Sequence, residues 1–182
     1  GVAGTGYYTG RAVAPVFGIP ATDTDLRIRW GEFLRFDEAG RVTHAQTIWD
    51  LVDWCDQIGH PVLPRPRGAL HVYPAPTGFD GVLTGPQDPG ETAETLGFGR
   101  AFIFGGLNSF DEADLISMGM ARYFHPNVKL YGPGGIGACL SLAEFDTFHQ
   151  QPWLRAFPHP TVMHLERLFD AGPLAAACGP LG

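Results

Sequence analysis

Residues 25–36 read DLRIRWGEFLRF, and the alternation in this stretch decides the fold. Ile28, Trp30, Glu32, Leu34 and Phe36 fall on one side, and Arg27, Arg29, Phe33 and Arg35 on the other. A period of two is the pattern of a half-buried strand. The next four residues, DEAG (37–40), predict a turn, and RVTHAQTIW (41–49) predicts a second strand, so the pair forms an antiparallel hairpin. Asp50 then opens DLVDWCDQIG (50–59), where Leu51, Trp54, Cys55 and Ile58 recur at helical spacing and Gly59 closes the turn. Residues 1–60 are therefore expected to be strand-rich and to end in a short helix.

Working outward, residues 61–109 carry PVLPRPRG, YPAPTG and GPQDPGE, in which prolines remove donors and glycines interrupt regular elements. They predict a long connection with one short strand at RAFIF (100–104), joining two modules or two halves of one. Residues 110–182 begin with a helix pattern, SFDEADLISMGMARYF (109–124), with Ser109 as cap and Glu112 three residues on. A strand at NVKLYG, a tight loop at GPGGIG (132–137) and a helix at LAEFDTFHQQPWLRAF (142–157) that breaks at Pro152 are expected next. TVMHLERLF (161–169) and PLAAACG (173–179) predict closing strands.

Composition bounds the function. The chain has 182 residues, 45% of them hydrophobic and 17% charged, enough to bury a core. Twelve basic against nineteen acidic groups give a net charge of −7, which argues against nucleic acid as the main partner. Lys129 is the single lysine, so no polybasic patch exists for anionic lipid. No run approaches the roughly eighteen apolar residues that span a bilayer, and no export signal is visible. Cys55, Cys139 and Cys178 follow no redox or ligand spacing, which fits small apolar residues in a reducing compartment; a cytoplasmic protein without a membrane partner is expected.

Strong cofactor motifs are absent from the sequence. GPGGIG lacks the Lys-Ser/Thr of a phosphate loop and reads as a tight turn. The seven histidines have no metal-binding spacing, so no metal is expected. The informative feature is polarity on strand faces that should be buried. Val42, His44, Gln46, Ile48 and Asp50 share one face of the second strand, and Trp30, Glu32 and Phe36 one face of the first. Apolar walls raise a carboxyl pKa towards neutrality, as a general acid/base requires. This makes Asp50, Glu32 and His44 candidate catalytic residues, with Trp30, Gln46, Trp49 and Trp54 as pocket neighbours. Each has a structural alternative: Asp50 as N-cap bonding the amide of Asp53, Glu32 as an Arg-paired surface group, His44 and Gln46 on the solvent side. In the last third, His125, Tyr131, His149, Trp153, Phe157 and His164 are candidate pocket residues, or core aromatics with amphipathic tips.

Two sets of stretches resemble one family. MARYFHPNVKLYGPGGIG, EFDTFHQQPWLRAFPHP and HLERLFDAG are similar to the first half of the SnoaL-like polyketide cyclase (ester cyclase) family. FGIPATDTDLRIRWGEFLRFDEAGRVTHAQTIWDLVDWCDQIG resembles its second half. The resemblance implies an α+β fold: a strongly bent mixed sheet, the nuclear transport factor 2-like cone, with helices on its concave side around an apolar pocket. Here the halves stand in reversed order: 1–60 the C-terminal half, 61–109 the connection, 110–182 the N-terminal half. A tandem-domain origin is expected, with the halves completing one cone within a chain or by exchange in a homodimer.

The family's chemistry implies a cofactor-free intramolecular aldol-type closure of a bulky apolar carbonyl compound. Its general acid/base position matches Asp50, while Glu32, Arg29 and Arg35 match an acidic residue between arginines, and Tyr131, Trp153 and Phe157 match wall positions. Three positions depart from the pattern: Ala12 stands where the family has a histidine, His159 replaces an aspartate, and Gln46 replaces a tryptophan. A non-catalytic small-molecule-binding or dimerising module of the same fold is the alternative expectation, and a hydrolase or isomerase on this scaffold a further one.

Overall fold

The computed structural model describes residues 1–70, 83, 85–107, 119–157, 167–172 and 174–178. The chain is a mixed α+β protein; its described residues form a small antiparallel sheet, two short hairpins and a few helices. It divides into two units, Gly1–Arg67 with Gly132–Gly137, and Gly68–Tyr131 with Ala138–Gly182.

In the first unit, β1 (Val2–Arg11), β2 (Asp25–Phe36) and β3 (Val42–Trp49) form an antiparallel sheet in that order. The expected hairpin is present. Asp37 closes its turn by accepting from the amides of Ala39 and Arg41 and from the Arg41 guanidinium, and the Arg41 amide bond leads in holding this carboxyl below its ordinary range. A bulge at Arg35/Phe36 shifts the pairing from Arg35↔His44 to Phe36↔Val42. On one sheet face the Trp30 indole lies over Gly4 and Gly6 of β1; a Cβ on Gly6 would stand 3.0 Å from the ring. Tyr8 stacks on the same indole with centroids 5.7 Å apart.

The short helix follows as predicted, α1 (Leu51–Gln57). It buries Trp54, Cys55 and Ile58 against Ala12, Ile19, Leu26 and Ile28. Gln57 fastens its far end to β2, donating to the Arg27 carbonyl and accepting from the Arg27 amide. Phe17 adopts a left-handed φ of 52° in the two-residue turn between Val16 and Ile19, and its ring meets Trp54 edge-on.

The second unit departs from the expected connection. Residues 89–107 are helical: α2 (Pro89–Arg100) runs into a π-helical segment, Ala101–Leu107. RAFIF is thus the end of one helix and the start of a wide turn, not a strand. Asp88 caps α2 by accepting from the Glu91 amide, and Pro89 occupies the first turn, where a missing N–H costs nothing. Gly105 and Gly106 leave room for the Tyr123 ring, which a Cβ on Gly106 would meet at 2.9 Å.

Further on, β4 (Leu130–Tyr131) pairs with β5 (Ala138–Cys139), and β6 (Arg167–Ala171) with β7 (Leu174–Cys178). Thr92 and Thr95 of α2 hold the turn of the latter hairpin at Gly172. Between the two hairpins lie α3 (Leu142–Phe145), a second π-helical segment, Asp146–Gln150, and α4 (Gln151–Ala156). The helical path continues through Pro152 instead of breaking there. Met120 and Leu154 form the buried centre, packed by Phe102, Leu107, Phe124, Leu142, Phe145 and Trp153. The expected helix at 109–124 is represented by a 3-10 turn, Met120–Arg122, its earlier part lying outside the described residues. The first part of the 161–169 strand, with His164, also lies outside them.

Candidate functional site

Asp50 stands where β3 hands over to α1, and the hairpin register sets its company. Trp30 pairs with Trp49, Glu32 with Thr47 and Arg35 with His44. Directly opposed residues share a face, so Asp50, His44 and Gln46 lie with Arg29, Phe33 and Arg35. Glu32, Trp30 and Trp49 belong to the opposite face. The three expected catalytic residues therefore do not converge. Glu32 instead accepts a hydrogen bond from the Thr47 hydroxyl at 2.8 Å, and His44 is exposed at the far end of β3. Trp49 is 53% exposed, whereas Trp54 is a core residue of α1. The strand pattern gave the two faces of each strand; the register between them is fixed by the turn and the bulge, which alternation does not reveal.

The Asp50 carboxylate is buried and fully engaged. It accepts from the Asp53 amide at 3.2 Å, capping α1, and pairs with the Arg29 guanidinium at 3.1 Å. The Gly134 amide reaches it at 3.0 Å from Oδ1 and 2.9 Å from Oδ2. Arg29 also donates to the Gly132 carbonyl at 2.7 Å. GPGGIG is thus a clasp around an ion pair. Its close approach demands glycine, because a Cβ on Gly134 would run into the Asp53 amide nitrogen. The N-cap reading of Asp50 holds, and the loop and arginine add to it.

Asp53, named in the sequence only as the amide partner of the cap, has a perturbed carboxyl. Burial first, and then the negative charge of Asp50, push it above its ordinary range, with the Gln57 amide bond at 2.7 Å opposing. Its signal in the sequence was its place three residues after Asp50, at the third position of a capped helix.

A second polar group occurs inside the second unit. The π-helical segment Asp146–Gln150 carries Asp146 and His149, both half-buried, and Gln150, only 5% exposed. Burial pushes the Asp146 carboxyl up and the His149 imidazole down, favouring both neutral forms. His149 sits in a line of rings with Phe145 at 5.4 Å and Trp153 at 6.1 Å, and Trp153 meets Phe157 at 4.8 Å. Three expected pocket residues are therefore brought together. His125 and Tyr131 are not among them: His125 is exposed and accepts from the Asn127 amide, and Tyr131 lies 44% exposed on β4. Sequence reasoning missed Gln150, whose clue is its position four residues before the buried Leu154.

Among the described residues no group of three or more His, Cys, Asp or Glu is arranged to hold a metal ion, and no helix is long and apolar enough to cross a membrane. No family model, no curated protein and no solved structure matches the chain.

Proposed function

We propose that the chain is a SnoaL-like small-molecule-binding module that takes a bulky, apolar, carbonyl-bearing ligand without a cofactor. The nuclear transport factor 2-like cone, completed by two half-domains in reversed order within one chain or across a homodimer, is part of this proposal. Its support is the resemblance of the two sets of stretches and the hairpin-then-helix order of residues 25–57. The observation that carries the binding reading over a catalytic one is the state of Asp50. A carboxylate that caps a helix, pairs with Arg29 and receives the Gly134 amide is an anchor of the fold, with no oxygen left for a substrate proton.

Thermal-shift and mass-spectrometric assays with fused-ring aryl ketones test this reading. Saturable stabilisation of the intact protein with no new product mass is expected. Product formation that Asp50→Asn abolishes while the variant stays folded would reject it, and so would the absence of saturable stabilisation by any such ketone.

One observation favours a second reading, proton-transfer chemistry of the aldol cyclase type. Asp53 has a half-buried carboxyl held above its ordinary range, the property a general acid/base needs. On this reading turnover is lost in Asp53→Asn, and Asp50→Asn reduces it only as far as it loosens the fold.

A further inference from the structure

Gln150 is the one residue whose buried side-chain oxygen and nitrogen both lack a hydrogen-bond partner among the described residues. An amide removed from water with nothing to bond is costly, and native interiors seldom keep one without a use. The surroundings are specific. Gln150 closes a π-helical turn, a geometry uncommon in proteins and concentrated at functional positions. One residue before it stands the His149 ring, flanked by Phe145 and Trp153, and one helical turn beyond it Leu154 lies buried against Met120. The helical path around this amide is therefore rich in rings and apolar side chains, with one unsatisfied donor–acceptor pair among them.

We propose that Gln150 is the recognition group of a small-molecule site inside the second unit, whose ligand is a flat, largely apolar ring carrying an N–H or O–H donor beside a carbonyl acceptor. A primary amide presents its acceptor and donor side by side, so it matches such an edge with two parallel hydrogen bonds: the ligand's donor to Oε1 and Nε2 to the ligand's carbonyl. The neighbouring rings supply stacking that tolerates any conjugated system. Asp146 and His149, both favoured neutral, add no charge for which an uncharged ligand would have to compensate. The inference rests on the binding reading above and adds to it the hydrogen-bonding edge that the ligand must present.

The probes are 2-quinolone, a fused ring with an adjacent N–H and carbonyl, and N-methyl-2-quinolone, which keeps the shape and loses the donor. Isothermal titration calorimetry of the intact chain should report saturable 2-quinolone binding, and the N-methyl compound should bind at least about tenfold more weakly. Gln150→Met, close in shape and without the orphan amide, should keep or raise the melting temperature of the free protein and bind both compounds alike. Gln150→Leu provides the same comparison should the methionine variant fold poorly. Equal affinity of the wild-type chain for the two quinolones, or binding of neither, overturns the proposal. A melting temperature lowered in both variants also overturns it, because the amide would then have a structural partner. Should the fused-ring ketones bind while neither quinolone does, the recognition role of Gln150 fails and the broader binding reading survives.

Discussion

At the scale of single residues, burial sets two titrations of opposite sign. Asp53 is held above the ordinary carboxyl value of 3.8, so over the window from 3.8 up to its folded value the folded state binds more protons than the unfolded one. Stability therefore falls as pH rises through that window. His149 is held below 6.5, so between its folded value and 6.5 the unfolded state binds more protons, and stability falls as pH drops. Urea unfolding across pH should show that Asp53→Asn gains on the wild type as pH climbs above 3.8. His149→Phe should gain on it as pH falls below 6.5. Parallel curves for either variant and the wild type would contradict the corresponding assignment. Neither effect was legible in the sequence. Asp50 was readable because a cap is a local pattern, whereas the burial of Asp53 depends on how α1 docks on β2. The orphan amide of Gln150 depends on a turn wider than the usual helix, which no spacing announces.

At the scale of elements, the first sheet was the legible part. Alternation in 25–36 and 41–49 and the Asp37 turn are local, and they define a hairpin whatever the rest of the chain does. The stretch 89–107 was not, because proline and glycine read as breakers when they are counted and as a helix start when Asp88 precedes Pro89. Pro152 misled for a similar reason: the π-helical segment ahead of it lets the helical path accept a residue that lacks an N–H. The sheet itself is unevenly protected. Of its two outer strands, β3 exposes Ile48 by 68%, while Gly6 on β1 is pressed beneath Trp30. Ile48→Lys should change stability by less than about 0.5 kcal/mol and reduce self-association at the open edge. Gly6→Val should cost about 1–3 kcal/mol by crowding the indole. Denaturant melts with light scattering distinguish the two outcomes, and equal losses of stability would mean that the edge is covered in solution.

At the scale of the whole molecule, the first unit is closed by a loop drawn from far along the chain. Arg29 and Asp50 are 16% and 7% exposed at their side chains, and removing the carboxylate takes the counter-charge away from a buried guanidinium. Asp50→Ala should therefore destabilise the first unit by about 3–5 kcal/mol. Gly134→Ala, which forces a methyl against the Asp53 amide, should lower the same transition. The four tryptophans make this measurable, because Trp30, Trp49 and Trp54 belong to the first unit and Trp153 to the second. A chain retaining only Trp54 should report the loss. An unchanged Trp54 transition would show that the clasp contributes little.

The span of that clasp also has a kinetic side. Gly134 lies 84 residues beyond Asp50, so the amide that completes the carboxylate's shell emerges late from a translating ribosome. At about 5–20 residues per second, the delay is on the order of 4–17 seconds. Throughout that interval the Asp50 carboxylate can draw only on Arg29 and the Asp53 amide, and its last donor is still to be made.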